Sequence, residues 1–284
     1  MPIREKGYYH WEGELKASYV TWLPIFFTGI KGVYKKRFSK LVSSLFLSYS
    51  SIFLFLVFLS SHPAGSFLKK AIAAIQTDKM LFYYYYTYES FLLFFMVIMS
   101  IFAGAELISG DLKFKSFTLY LSRPLSRFDY VKGKFSIVLF YLLSLTLGPA
   151  IVLIIFKIIF MGSFAVSPRV FLGVIIFPIL ISLFLASLSI MLSSLSTNAR
   201  LIKVIIFVFY VMSNVIARMF YDIFKSRSFL YISISENAKR FGEFVFGTRS
   251  GGFYTEGLIS GSILLGLTLI FFAILAIRIK RVEV

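Results

Sequence analysis

The sequence predicts an all-α polytopic membrane protein: six transmembrane helices, an N-terminal interfacial amphipathic helix and a short cytoplasmic helix between spans two and three. Three observations predict this. First, 58% of the 284 residues are hydrophobic and 15% are charged, against roughly 45–50% and about 25% in soluble domains. Second, six apolar stretches approach or exceed the ~20 residues that a helix needs to cross a bilayer. Third, the 30 Lys and Arg residues, against 13 Asp and Glu, collect in short segments between those stretches, as topology-setting charges do. That distribution accounts for the net charge of +17 better than nucleic-acid binding does. The chain reads as one transmembrane domain over 1–284. Residues 1–40 lie on the cytoplasmic face, 41–279 hold the spans and 280–284 form a cytoplasmic tail.

The spans are expected at Leu41–Ser61, Phe91–Gly110, Phe135–Phe160, Val170–Leu195, Val204–Tyr221 and Leu258–Ile279. No signal-peptide pattern precedes the first, so it is expected to remain as an anchor. With both termini cytoplasmic, the inner segments carry about 19 basic residues and the outer ones about 9, the bias expected of that orientation. Before the first span, Ala17–Ile30 is apolar but too short to cross, and Lys31, Lys35, Lys36, Arg37 and Lys40 follow it. This reads as an interfacial helix bent at Pro24. Residues 62–90 read as an outer amphipathic piece, with Lys69 and Lys70 on its polar side. Tyr83, Tyr84, Tyr85, Tyr86 and Tyr88 would form an aromatic belt there. Residues 222–257 form the longest outer loop, whose Ile234–Phe246 stretch could lie on the outer leaflet.

Function classes narrow from what the spans hold. Cysteine is absent and histidine occurs twice, as His10 and His62. Thiol chemistry is excluded and a histidine metal site is disfavoured, so no metal and no cofactor is expected in this chain. Glu106, Lys157 and Arg218 lie near span ends and can reach an interface. No midplane carboxylate or lysine is evident, which argues against an ion-coupled carrier. Asn214 is strongly polar and well inside the fifth span. It reads as a hydrogen bond between helices or as part of a substrate path. Gly257 and Gly261 open the last span with a close-packing spacing. Ser182, Ala186, Ser189, Ser193 and Ser196 put small residues on one stripe of the fourth.

The sharpest feature is the segment between spans two and three. It runs from Glu106 and Asp111 through Phe114, Phe117, Leu119 and Leu121 to Ser122-Arg123-Pro124-Leu125-Ser126-Arg127, and closes with Lys132-Gly133-Lys134. The aromatic and aliphatic positions suit one side of a short helix that Pro124 would end. Such a helix at the membrane base suits a groove on a cytoplasmic partner.

This segment resembles the first cytoplasmic loop of type-2 ABC transporter permeases, the exporter-class membrane subunits. That loop carries an acidic residue after span two, a Gly-Thr pair, an apolar helix, a Pro-hydrophobic-Ser-Arg turn and a Gly-Lys entry to span three. Asp111, the Ser122–Arg127 turn and Gly133-Lys134 match it, while Lys115-Ser116 stands where the Gly-Thr pair is usual. Ser194–Arg200 matches the family's second inner loop weakly.

The resemblance implies a membrane-spanning permease in the plasma membrane, paired with a second copy or a paralogue. ATP and magnesium would be held by separate ABC ATPase subunits, since this chain has no phosphate-binding GxxxxGK[ST] loop. Asp111, Phe114, Phe117, Arg123, Pro124, Leu125, Ser126, Arg127 and Lys132 would carry the ATPase coupling. The cargo is unidentified, and lipids, hydrophobic drugs or peptides suit an apolar interior. The alternatives are a membrane scaffold without a pathway, or an ion-coupled secondary transporter. An intramembrane enzyme lacks any paired catalytic motif within a span.

Overall fold

The computed structural model describes residues 21–61, 77–87, 90–116, 125–161, 167–248 and 253–281. Among them there is no strand. The helices are α1 (Leu23–Tyr34), α2 (Arg37–Ser61), α3 (Asp78–Thr87), α4 (Phe91–Gly104), α5 (Ser109–Lys113), α6 (Arg127–Met161), α7 (Pro168–Leu195), α8 (Ala199–Phe224), α9 (Ile234–Phe246) and α10 (Phe253–Arg281). Six helical segments are long and apolar enough to span a bilayer: α2, α4 with α5, α6, α7, α8 and α10. The protein is a multi-pass, all-α membrane protein.

Local chemistry sets the ends. Pro24 occupies the first turn of α1, where its missing N–H costs nothing. It therefore starts the helix that it was expected to bend. Ser126 caps α6: its hydroxyl accepts from the Asp129 N–H at 3.0 Å and donates to the Asp129 carboxylate at 2.8 Å. That cap lets α6 begin at Arg127, eight residues before the expected span. Gly133-Lys134 thus lies inside the helix. Asn198 caps α8 by accepting from the N–H groups of Arg200 and Leu201. Gly247 ends α9 at φ 66°, a conformation open to a residue without Cβ.

Helix α7 is the hub. It packs against α3, α4, α5, α6, α8, α9 and α10. Buried Ser182, Ala186, Ser187, Ser189, Ser193 and Ser194 let those neighbours approach. Small residues matter here because lipid offers apolar helices no hydrophobic drive toward each other, and close van der Waals contact must supply the attraction. A Cβ on Gly104 would lie 2.5 Å from the Ser189 hydroxyl, so α4 meets α7 at a point that only glycine permits. In the most apolar windows, 67% of α4–α5 and of α7 is buried, against 22% of α8.

Charge separates the ends of the bundle. Lys31, Lys35, Lys36, Arg37, Lys40, Arg127, Lys132, Lys134, Arg200 and Lys203 gather where α1 packs on α6 and where α7 hands over to α8. The opposite end carries α3 and α9, which mix both signs.

Three expectations are corrected there. Tyr85 and Tyr86 are fully buried rather than belted around a lipid interface. The Tyr49 hydroxyl donates to the Tyr85 carbonyl at 2.8 Å, and the Tyr86 hydroxyl donates to the Val174 carbonyl at 3.2 Å. Burial pushes both phenols, Tyr85 and Tyr86, above the ordinary tyrosine range. Helix α9 does not lie on the leaflet. It packs against α3, α7 and α10, with Asn237, Ala238, Arg240 and Phe241 buried. Arg169 holds its last turn by donating to the carbonyls of Val245 and Phe244. Lys157 does not reach out to an interface either. It is buried in an ion pair with Asp78, at the start of α3. The expected outer piece at Lys69 and Lys70 and Tyr88 of the expected belt lie outside the described residues.

Candidate functional site

The second span breaks where the basic hairpin begins. Helix α4 stops at Gly104, Ala105–Ile108 form turns, and α5 resumes at Ser109. Irregular backbone at this depth requires partners for its polar groups; local turns supply some of them, as from Leu107 N–H to the Gly104 carbonyl, and side chains from other helices supply the rest. The Ser193 hydroxyl of α7 accepts from the N–H groups of Ile108 and Ser109, both at 3.0 Å, and donates to the Ala105 carbonyl at 2.9 Å. The Phe102 carbonyl takes a hydrogen bond from Lys36 Nζ at 3.2 Å. Breaks of this kind act as hinges or as binding points.

Glu106 sits inside the break and joins three elements. One carboxylate oxygen is 2.6 Å from Lys36 Nζ, just before α2, and the other pairs with Lys203 of α8. All three side chains remain roughly one-third exposed, so each pair contributes only about 0–1 kcal/mol to stability. Its effect is positional: the start of span one, the break in span two and the start of span five share one carboxylate.

Asp111 ties the hairpin to span three. Its Oδ2 lies 2.7 Å from Lys134 Nζ and accepts from the Tyr130 hydroxyl at 2.6 Å. Both partners stand on the first turns of α6. The Lys134 side chain is only 9% exposed.

Beyond Asp111 the chain turns outward. Phe114 is 75% exposed. Lys115 adopts φ 52°, the left-handed region, and the helix expected to run through Phe114 has already ended at Lys113. Helical conformation resumes at Ser116. Phe117, Arg123 and Pro124 lie outside the described residues. Leu125 packs against the core. Ser126 is the α6 cap. Arg127 Nη1 donates to the carbonyls of Ile279 and Lys280, at 3.2 and 2.6 Å, and so caps the end of α10. The Lys132 ammonium stands 5.0 Å from the centre of the Trp22 ring, which fastens α1 to α6.

The remaining singled-out residues lie elsewhere. Asn214 Oδ1 accepts from the Ser233 hydroxyl at 2.6 Å and from the Ser235 N–H at 3.2 Å, and so pins the start of α9 to the middle of α8. Gly257 and Gly261 face Phe244 and Phe241 of α9. They close a contact within the subunit. Among the small stripe, Ser189 meets Gly104 and Ser193 meets the helix break, while the Ser182 hydroxyl is buried with no hydrogen-bond partner among the described residues. No group of three metal-ligating side chains occurs among the described residues.

A family described as "Protein of unknown function (DUF2705)" matches residues 41–284. The chain belongs to that family. No curated protein matches it. The matched stretch contains the break, Glu106, Asp111, Lys134 and Ser193, whereas α1 and Lys36 precede it.

Sequence reasoning missed Lys36, Tyr130, Lys134 and Lys203 as partners, and Ser193 as a hydroxyl acting on another helix. Ser193→Ala is expected to lower the free energy of reversible unfolding by about 2 kcal/mol, because two buried N–H groups lose their acceptor. Ser194→Ala removes a hydroxyl that bonds only Met191 of its own helix and should cost less than about 1 kcal/mol. Equal losses in chemical denaturation would show that the break does not depend on Ser193.

Proposed function

We propose that this chain is the membrane-spanning permease subunit of an ATP-binding-cassette exporter. Separate ATPase subunits would drive it, and it would move a hydrophobic substrate such as a lipid, drug or peptide. One observation carries the reading: the root of the basic segment after span two is tied by charge to spans one, three and five. Asp111 fixes that root to α6 and Glu106 joins it to spans one and five, while Phe114 beyond it is left largely exposed. A loop that merely connects two spans needs none of this.

The Lys115 backbone gives the resemblance its register. In the type-2 permeases a glycine stands there, and φ 52° is the conformation that glycine adopts without cost. In this reading the basic end faces the cytoplasm, an ATPase cleft receives the hairpin, and its closure tilts the spans about the break.

The test is retention of an ABC ATPase from the source cells by this chain, in affinity purification from detergent. Arg127 caps α10, so reversing its charge confounds folding with docking. Phe114→Asp with Arg123→Glu is the cleaner variant. The wild type should hold the ATPase, and the double variant should lose it at least tenfold with its unfolding midpoint unchanged. Undiminished retention by the double variant would overturn the reading. ATP-dependent transport in reconstituted vesicles separates a permease from a scaffold, and transport on an ion gradient alone would favour a secondary carrier.

A further inference from the structure

Helices α6 and α10 touch at the Phe135–Phe272 ring pair, with centroids 4.8 Å apart, and again where Arg127 meets the end of α10. Between these points lies a groove of about 390 Å³. Its walls are Val131 and Phe135 on one side and Phe272, Leu275 and Ala276 on the other, with exposed Phe128 at the lip. Arg127, Lys132 and Lys280 line the basic end of the same groove. None of the three has a carboxylate within ion-pair distance among the described residues. Asp129, in the same turn, is engaged by the Ser126 hydroxyl.

We propose that this groove binds an anionic phospholipid of the adjacent leaflet, with an acyl chain between α6 and α10 and the phosphate at the Arg127–Lys132–Lys280 cluster. The chemistry selects that occupant. A purely apolar segment would bring no anion to a charged end where Arg127 meets only carbonyls and Lys132 only the Trp22 ring and the field of Asp129, and a soluble anion would leave the apolar wall uncovered. A phospholipid has both parts in the order that the groove presents them, apolar toward the bilayer interior and charged at its surface. Basic pockets between spans at this depth are suited to such headgroups. Arg127 keeps its charge while its Nη1 bonds two carbonyls, so it is held in place for the phosphate. The inference stands apart from the permease reading, since it needs neither an ATPase nor transport.

The full chain, purified without any ATPase, would be placed in nanodiscs of phosphatidylcholine with one-fifth phosphatidylglycerol, and the retained lipid measured by native mass spectrometry. Phosphatidylglycerol should be enriched over phosphatidylcholine. Surface cations contribute about fivefold each, so Arg127→Gln with Lys132→Gln and Lys280→Gln should reduce enrichment on the order of a hundredfold. Because Arg127 also caps α10, Ala276→Trp serves as a second variant. It fills the groove, leaves the cations intact and should also abolish enrichment. Enrichment that survives Ala276→Trp would place the lipid elsewhere and overturn the proposal. Equal retention of the two lipids by the wild type would do the same. Competition by inorganic phosphate as effective as by the lipid would show a free-anion site instead.

Discussion

Replacing Asp78 with alanine is expected to lower the free energy of unfolding by about 3–5 kcal/mol, the usual result of stripping one partner from a buried ion pair. The partner it leaves is Lys157, whose side chain is 4% exposed against 20% for Asp78 itself. The ammonium would then sit near the end of α6 with no carboxylate at ion-pair distance among the described residues. Unfolding in detergent, followed by circular dichroism, measures the loss. The double variant Asp78→Leu with Lys157→Met separates charge from packing. Replacing both charges by apolar groups removes the desolvation cost as well as the attraction, so most of the stability should return. A double variant as unstable as Asp78→Ala would mean that shape at this junction, not charge, holds α3 against α6.

Asp111→Ala should cost about 3 kcal/mol for the same reason, because it removes the counter-charge of the largely buried Lys134. It differs from Asp78 in what it moves. The Tyr130 hydroxyl also loses its 2.6 Å acceptor, so α5 loses both of its Asp111 bonds to α6. On the permease reading, ATPase retention should therefore fall together with stability. Asp111→Glu keeps the charge and should recover both in part. Lys134→Met with Asp111→Leu gives the decisive comparison. It should recover stability without recovering retention, since the apolar pair fills the space but does not direct the hairpin. Recovery of both would make Asp111 a packing residue with no part in coupling.

Much of this fold is legible in the sequence because the information is local. A run such as Val170–Leu195 declares its place in the bilayer whatever surrounds it, and α7 extends only to Pro168. Glu106 is visible as an expensive residue near a span end. Its partners are not, since Lys36 and Lys203 lie 70 and 97 residues away. The misplaced elements share one cause. Tyrosine suits an interfacial belt and a buried hydrogen-bonded cluster equally well, and only Tyr49 on α2 and the Val174 carbonyl on α7 decide for Tyr85 and Tyr86. Likewise Ile234–Phe246 carries enough charge to read as a surface helix. Arg169, Asn214 and Gly257 bury it, and each belongs to a different helix. The helix break left only a weak propensity signal, because Ala105–Ile108 contains neither glycine nor proline and the flanking Gly104 and Gly110 are common enough in spans. The hydroxyl that sustains it is on α7.

Helix α8 turns one stripe, Ile202, Ile206, Tyr210, Ser213 and Ala217, to protein, and is held by Lys203 to Glu106 near its start and by Tyr210 and Asn214 to the start of α9 at its middle, while its other faces are exposed. In hydrocarbon, exchanging lipid tails for protein side chains along such a surface changes the free energy little. Span five is therefore held along one narrow seam, with partly exposed charges near its start and neutral hydrogen bonds at its middle. Tilting it would cost that seam and those bonds, while its broad lipid-facing side would oppose the motion little.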